Sequence, residues 1–171
     1  MTNPGGSAPH FFGKADLDAL SRSASTHPRR RKNLNFHAQL AHPAQRLLNA
    51  VEPDSYIRPH RHADRLRDET FVVLRGAFGV VFFDGAGAVT GSAVIRAGGD
   101  LVGAHVPAGT YHCLVSLEPG SVFFEAKAGP YEPTTDKDFA SWAPPEGDPR
   151  VPAFLGTLRA LFTGASSGDT P

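Results

Sequence analysis

From residue 45 onward the sequence breaks into short apolar runs with turn residues between them, and this texture limits the possible folds more than any other feature. The runs cover 45–51, 55–62, 70–74, 78–83, 93–97, 101–106, 113–117 and 122–127. Between them stand Pro53-Asp54, Arg75-Gly76, Asp84-Gly85, Gly98-Gly99-Asp100, Pro107-Ala108-Gly109 and Glu118-Pro119-Gly120. Asp-Gly between apolar runs signals a hairpin. Eight short strands with no helix among them predict an antiparallel sandwich or barrel.

The flanks read differently. Residues 14–25 carry Leu17 and Leu20 with Asp16 and Asp18 in a first turn, a helical pattern that Pro28 closes. Arg29-Arg30-Arg31-Lys32 reads as a solvated basic loop in preference to a phosphate site. Residues 128–150 are rich in Pro, Gly and charge and predict an ordered loop across the barrel. Phe154, Leu155, Leu158, Leu161 and Phe162 have helical spacing, with Pro152 at the start and Gly164 at the end. The expected organisation is a disordered tail over 1–13, a helix and basic loop over 14–40, the barrel and its closing loop over 41–150, a helix over 151–163 and a disordered tail over 164–171.

At 171 residues, 40% of them hydrophobic, the chain suits one core. Lys plus Arg equals Asp plus Glu, so net charge makes no case for nucleic acid or a membrane surface as partner. A single cysteine permits no internal disulfide and fits a reducing compartment. Residues 1–8 lack the pattern of a secretory signal, and no run is long enough to span a bilayer. A soluble, cytoplasmic protein is expected.

Two segments carry chemistry. In Pro59-His60-Arg61-His62 the histidines share a strand face, because alternate side chains point the same way. Glu69 opens the next apolar run, and Gly76 follows at a turn where a side chain would crowd the backbone. The second segment is Pro107-Ala108-Gly109-Thr110-Tyr111-His112, a tight turn that ends in a histidine at a strand start. Pro-x-Gly-x-x-His downstream of His-x-His, Glu and Gly is far more specific than an isolated His-x-His, which is equally a pair of packed or surface histidines.

Together the two segments resemble the paired motifs of the cupin superfamily. The resemblance implies a small antiparallel all-β cupin barrel, a double-stranded β-helix or jelly roll, here with a short N-terminal helix and a C-terminal helix. It also implies one divalent metal on His60, His62, Glu69 and His112. The chain departs from the common pattern in three places: six residues separate His62 from Glu69, Ser116 stands where an Asn is usual, and Leu101 stands where a Gly is usual. Asp68, beside Glu69, would face the opposite way.

The flanks resemble the WbuC family of cupin-fold metalloproteins. The similar segments are Arg29–His37, Gln45-Arg46-Leu47-Leu48, Ser55–His62, Phe124–Tyr131 and Asp136–Pro144. That resemblance implies an association with bacterial surface-polysaccharide (O-antigen) biosynthesis, with no established reaction.

Three imidazoles and a carboxylate suit Fe, Mn, Ni, Co or Zn, with open positions for a substrate oxygen. Arg58 and Tyr56 share parity with the histidine pair and, with Lys137, are candidate substrate-binding residues. Glu125 and Lys127 share one face of a late strand and, with Tyr131, are candidate proton-transfer groups. An exposed salt-bridged edge is the alternative for that pair. His105 is a rival ligand on the wrong side of the Pro-Gly turn, and His37 a candidate pocket residue. His10, His27 and His42 read as surface residues, and Cys113 as a small buried apolar group.

Three functions are open on this reading: a metal-dependent isomerase, epimerase or lyase on a sugar or nucleotide sugar; an Fe(II) dioxygenase; and a non-catalytic sugar-binding or regulatory module. A small sugar-like ligand and a homodimer are expected, with no nucleic-acid or membrane partner.

Overall fold

The computed structural model describes residues 9–62, 67–130 and 137–163. The elements in chain order are α1 (Lys14–Thr26), β1 (Arg31–Asn35), β2 (Ala44–Val51), β3 (His60–Arg61), β4 (Glu69–Arg75), β5 (Ala77–Phe83), β6 (Val89–Arg96), β7 (Gly103–Val106), β8 (Tyr111–Ser116), β9 (Ser121–Ala128), β10 (Asp138–Phe139) and α2 (Val151–Ala160). The strands form two five-stranded sheets, ordered β1-β2-β9-β4-β7 and β10-β3-β8-β5-β6, and every pairing is antiparallel. This is the antiparallel barrel predicted by the run of strands, in the small cupin form that the paired motifs imply.

Burial follows the pleat. Along β4, Glu69, Phe71 and Val73 turn inward while Thr70, Val72 and Leu74 turn out. The inner faces meet in a core of Phe71, Phe78, Val80, Ile95, Leu114 and Phe123 among others, with Phe71 and Phe78 edge-on to Phe123. Strand β5 is buried on both faces, so its sequence is a nearly unbroken apolar run. One face meets the core, and the other lies under α2, where Val81, Cys113 and Val115 pack on Leu155 and Leu158. Helix α1 covers the outer face of the other sheet, setting Leu20 and Ala24 on Leu48, Ala50 and Val122. No helix among the described residues is long and apolar enough to cross a membrane.

Gly76 joins β4 to β5 at φ +70, a region costly for residues with a Cβ. A Cβ there would fall 2.2 Å from Ser121 Oγ and 3.1 Å from Ser121 Cα.

Two stretches differ from expectation. The expected strand over 55–62 shrinks to His60–Arg61, because 52–59 is irregular and contains Pro53 and Pro59, which lack the N–H a ladder needs. Where a basic loop is expected, Arg31–Asn35 forms β1 and pairs with β2 from Arg31 opposite Val51 to Asn35 opposite Leu47. The arginines there are matched by acids: Arg29 and Arg31 bond Glu146, and Arg30 bonds Asp54. Arg31 also donates to Ser55 Oγ and to the Tyr56 carbonyl. Charge on this edge is thereby partly balanced, three arginines against two acids. The tails over 1–8 and 164–171 lie outside the described residues.

Candidate metal centre

The two sheets contribute differently to one point inside the barrel. In the β10-β3-β8-β5 sheet, Phe139, His60 and His112 stand side by side in register, which brings the His60 and His112 ring centroids to 4.7 Å. From the facing sheet comes Glu69, the first residue of β4, directly opposite Lys127 on β9. His62 follows β3, its ring 5.5 Å from that of His60. His60, His62, Glu69 and His112 are 3, 2, 3 and 0% exposed, a degree of burial that charged or polar groups tolerate only with partners.

Those partners are specific. His62 Nε2 lies 2.7 Å from Glu69 Oε1, and His112 Nε2 lies 3.0 Å from Glu69 Oε2. His60 Nδ1 sits 3.0 Å from the Arg58 carbonyl, and His112 Nδ1 sits 2.9 Å from the Thr110 carbonyl. Each carbonyl accepts only from a protonated Nδ1, so the neutral ring carries its lone pair on Nε2. For His112 that lone pair meets a carboxylate oxygen at hydrogen-bond distance. The contact is repulsive unless a cation, a proton or a metal ion, lies between the two atoms. Donor atoms of His60, Glu69 and His112 all lie within 4.8 Å of one another, a buried cluster that could hold a metal ion. The donor set of imidazole nitrogen and carboxylate oxygen suits a divalent transition metal.

Burial alone would raise the Glu69 pKa. Hydrogen bonds from His112 and His62, with the charges of His112 and Lys127, outweigh it and hold the group well below the ordinary carboxylate range. For His60, burial and then the nearby Lys137 and His112 charges push proton affinity well below that of a free imidazole. Glu69 is thereby kept ionised and His60 neutral, the form of each that binds a metal ion.

The turn that delivers His112 is tied down twice. Gly109 N donates to the His62 carbonyl at 2.8 Å, and Ala108 N donates to Asp68 Oδ1 at 2.8 Å. Asp68 points away from the centre, as alternation requires, and serves the second motif instead.

A cavity of about 580 Å³ opens from the centre. Glu125 and Lys127 project into it from β9, with Lys127 Nζ 3.5 Å from Glu69 Oε1 and 3.4 Å from Glu125 Oε1. Their side chains are 12 and 6% exposed, so the pair is interior and the open salt-bridged edge is not what forms. Asn49 Nδ2 donates to Glu125 Oε2 at 2.9 Å. Burial and then the Glu69 charge raise the Glu125 pKa above the ordinary carboxylate value, against the opposing effect of Lys127.

The other candidate residues fall in different places. Arg58 and Lys137 line the cavity; Arg58 donates to the Ala140 carbonyl and lies 5.3 Å over the Phe139 ring. Tyr56 does not line it. The hydroxyl donates to the Pro144 carbonyl and the ring packs edge-on against Phe154 near α2, so the inferred parity with His60 fails where the chain is not a strand. Tyr131 lies outside the described residues. His105 faces outward on β7, bonded to Thr70 Oγ1. His37 is buried on the cavity wall against the Arg46 backbone. Cys113 is fully buried, and burial raises its thiol pKa. Sequence reasoning missed Asn49 and Phe139. Inward parity with Leu47 on a correctly expected strand could have found Asn49; Phe139 stood in the similar segment over 136–144 but no pattern gave it a role, because its strand is two residues long.

A family model described as a domain of unknown function (DUF6016) matches residues 12–95, a segment that takes in His60, His62 and Glu69 and stops before His112. No curated protein matches the sequence. Among solved structures, the chain is similar to the capsular polysaccharide assembling protein CapF from Staphylococcus aureus, a cupin-fold protein, at 18% identity and TM-score 0.56. The match covers 67% of this chain and 32% of CapF, so the chain spans about a third of that relative's length. KdgF from Halomonas sp. matches at 20% identity and TM-score 0.48, over 63% of this chain and 85% of KdgF. Oxalate decarboxylase from Bacillus subtilis matches at 15% identity and TM-score 0.49, over 64% of this chain and 27% of its own.

Proposed function

We propose that the chain is a cupin metalloenzyme that holds one divalent ion through His60, His62, Glu69 and His112 and acts on a sugar or nucleotide sugar of bacterial surface-polysaccharide biosynthesis. The reaction class is isomerisation, epimerisation or elimination. The observation that carries the reading is the buried Glu125–Lys127 pair beside the histidine–carboxylate cluster, inside one cavity. The polysaccharide setting rests on the likeness of the flanking segments to WbuC sequences.

A bound divalent ion supplies a Lewis acid that polarises a substrate oxygen and acidifies the adjacent C–H. The chain supplies the rest. Glu125, its pKa raised by burial and Glu69, holds a proton more firmly than an ordinary carboxylate and is the group placed to take and return one. Asn49 fixes one oxygen of that carboxylate and Lys127 lies beside the other. Phe139, half exposed at the cavity wall, offers an apolar surface to the C–H face of a sugar ring, with Arg58 and Lys137 nearby for polar groups.

The test is elemental analysis of protein purified without chelator, followed by proton NMR of nucleotide sugars and free uronates incubated with it in D2O. Metal near one equivalent, with loss of a substrate C–H signal that depends on Glu125, is the expected result. Metal-loaded protein that exchanges no C–H in any of them would sink the enzymatic reading. Oxygen uptake with Fe(II) would put a dioxygenase in its place, and binding without turnover a sugar-binding module.

A further inference from the structure

The inner face of the β1-β2-β9-β4 sheet forms rows of residues that run away from the metal centre. One row is Asn33, Asn49, Phe123 and Val73; the next is Asn35, Leu47, Glu125 and Phe71; the third is Gln45, Lys127 and Glu69. The chemistry changes from strand to strand. On β4 stands the candidate metal ligand, on β9 the charged pair, and on β1 and β2 the amides, with Arg31 at the start of β1 bonded to Glu146, all lining one cavity. Neighbouring strands lie about 4.8 Å apart, so three steps from β4 to β1 span about 14 Å. That is longer than a single sugar ring occupying the metal end.

The amides are only partly used. Asn33 Nδ2 donates to Asn35 Oδ1 at 2.6 Å, and Asn49 Nδ2 donates to Glu125. Whichever way the amides are turned, each pair keeps donors and acceptors in hand, and neutral amides offering both match hydroxyl groups, which also do both. Asn33 is exposed, so this arm opens to solvent and a longer chain can run out of it. At that end Arg29 and Arg31 share one carboxylate, Glu146, and Arg31 also donates to Ser55 Oγ and the Tyr56 carbonyl, so one positive charge is left over and a diphosphate is the competing occupant that the test must separate.

We infer that the cavity has a second, uncharged subsite on Asn33, Asn35 and Asn49 that takes a neutral sugar residue linked to the unit at the metal, which makes the substrate a saccharide of at least two residues. The inference rests on the proposed metal centre.

Isothermal titration of Mn(II)-loaded protein tests it with three probes: D-glucuronate, the disaccharide of glucuronate β-1,4-linked to glucose, and uridine diphosphate glucose. The disaccharide binds at least tenfold more tightly than glucuronate, and the Asn33→Ala/Asn35→Ala double variant erases that advantage while its Mn(II) content stays unchanged. A disaccharide bound no more tightly than glucuronate, an advantage that survives in the double variant, or no binding of either sugar overturns the inference. Tighter binding of uridine diphosphate glucose than of the disaccharide also overturns it, because a nucleotide would then fill the arm. Wild-type protein that takes up no Mn(II), Fe(II), Ni(II), Co(II) or Zn(II) removes the metal reading first, and the subsite with it.

Discussion

Glu69 and Lys127 face each other in register across β4 and β9, with the ammonium 3.5 Å from the carboxylate that also meets His62 and His112. The same ammonium is 3.4 Å from Glu125. One buried cation thus serves two buried carboxylates, one in the candidate metal centre and one in the cavity beside it. The metal site and the proposed proton-transfer site share an electrostatic balance through this lysine.

Removing that cation leaves two buried carboxyl groups without the ammonium between them on the cavity wall. Lys127→Met should destabilise the metal-free protein by about 3 kcal/mol in urea unfolding, the scale for breaking a buried charge pair. Adding Glu125→Gln should return part of the loss, because one of the opposed charges is gone. Strictly additive effects of the two substitutions would show that the residues do not share this balance.

Metal content should fall in an order set by the geometry. His60→Ala and His112→Ala each remove a donor from the cluster whose atoms lie within 4.8 Å, and should leave less than about a tenth of the wild-type metal after dialysis. His62→Ala should also lose metal sharply, and Glu69→Gln less, since an amide oxygen still coordinates. Elemental analysis of the four variants is the measurement. Full retention in both His60→Ala and His112→Ala would end the assignment.

Asp68 makes no contact with the cluster but holds the turn before His112 through Ala108 N. Asp68→Ala should weaken metal affinity about tenfold, the lower end for outer supports of a ligand, with the metal stoichiometry intact. A competition assay against a chromogenic chelator reads this directly. Affinity unchanged from wild type would mean that Gly109 N on the His62 carbonyl suffices to fix the turn.

The barrel was legible from its short apolar runs and the turn residues between them, while the alternation of burial from Glu69 to Leu74 is seen only in the fold, since Val72 and Leu74 are apolar yet face out. Helix α1 was legible from Leu17 and Leu20, three apart, and both pack in the cluster beneath it. What failed was periodicity applied where no strand exists, which misplaced Tyr56. The missed strand β1 failed differently. Arg31 belongs in a sheet only because Glu146, 115 residues later, neutralises it, and a local reading of charge cannot see so distant a partner. Missing β1 also hid the inward row of Asn33 and Asn35. The meeting of His60, Glu69 and His112 was implied by the resemblance to the paired cupin motifs, while the Asn49 bond to Glu125 depends on a register between β2 and β9 that no local pattern states.

The pH dependence of the metal-free protein should carry the mark of His60. Burial, then the Lys137 and His112 charges, keeps this ring unprotonated in the fold well below the pH at which a free imidazole takes its proton. Below about pH 6.5 the unfolded chain therefore binds one more proton than the folded chain, and stability falls as pH falls, by up to about 1.4 kcal/mol per unit. Glu69, also held low, contributes with the same sign but only below its ordinary value of 4.5. Glu125 works the other way: its raised pKa means that above pH 4.5 the folded state keeps a proton the unfolded state has lost, so its contribution falls as pH rises. Urea unfolding of chelated protein from pH 7.5 to 5.5 should therefore show stability declining with acid and a shallower decline in His60→Gln. A wild-type profile identical to that of His60→Gln would show that this imidazole is not held neutral by the fold.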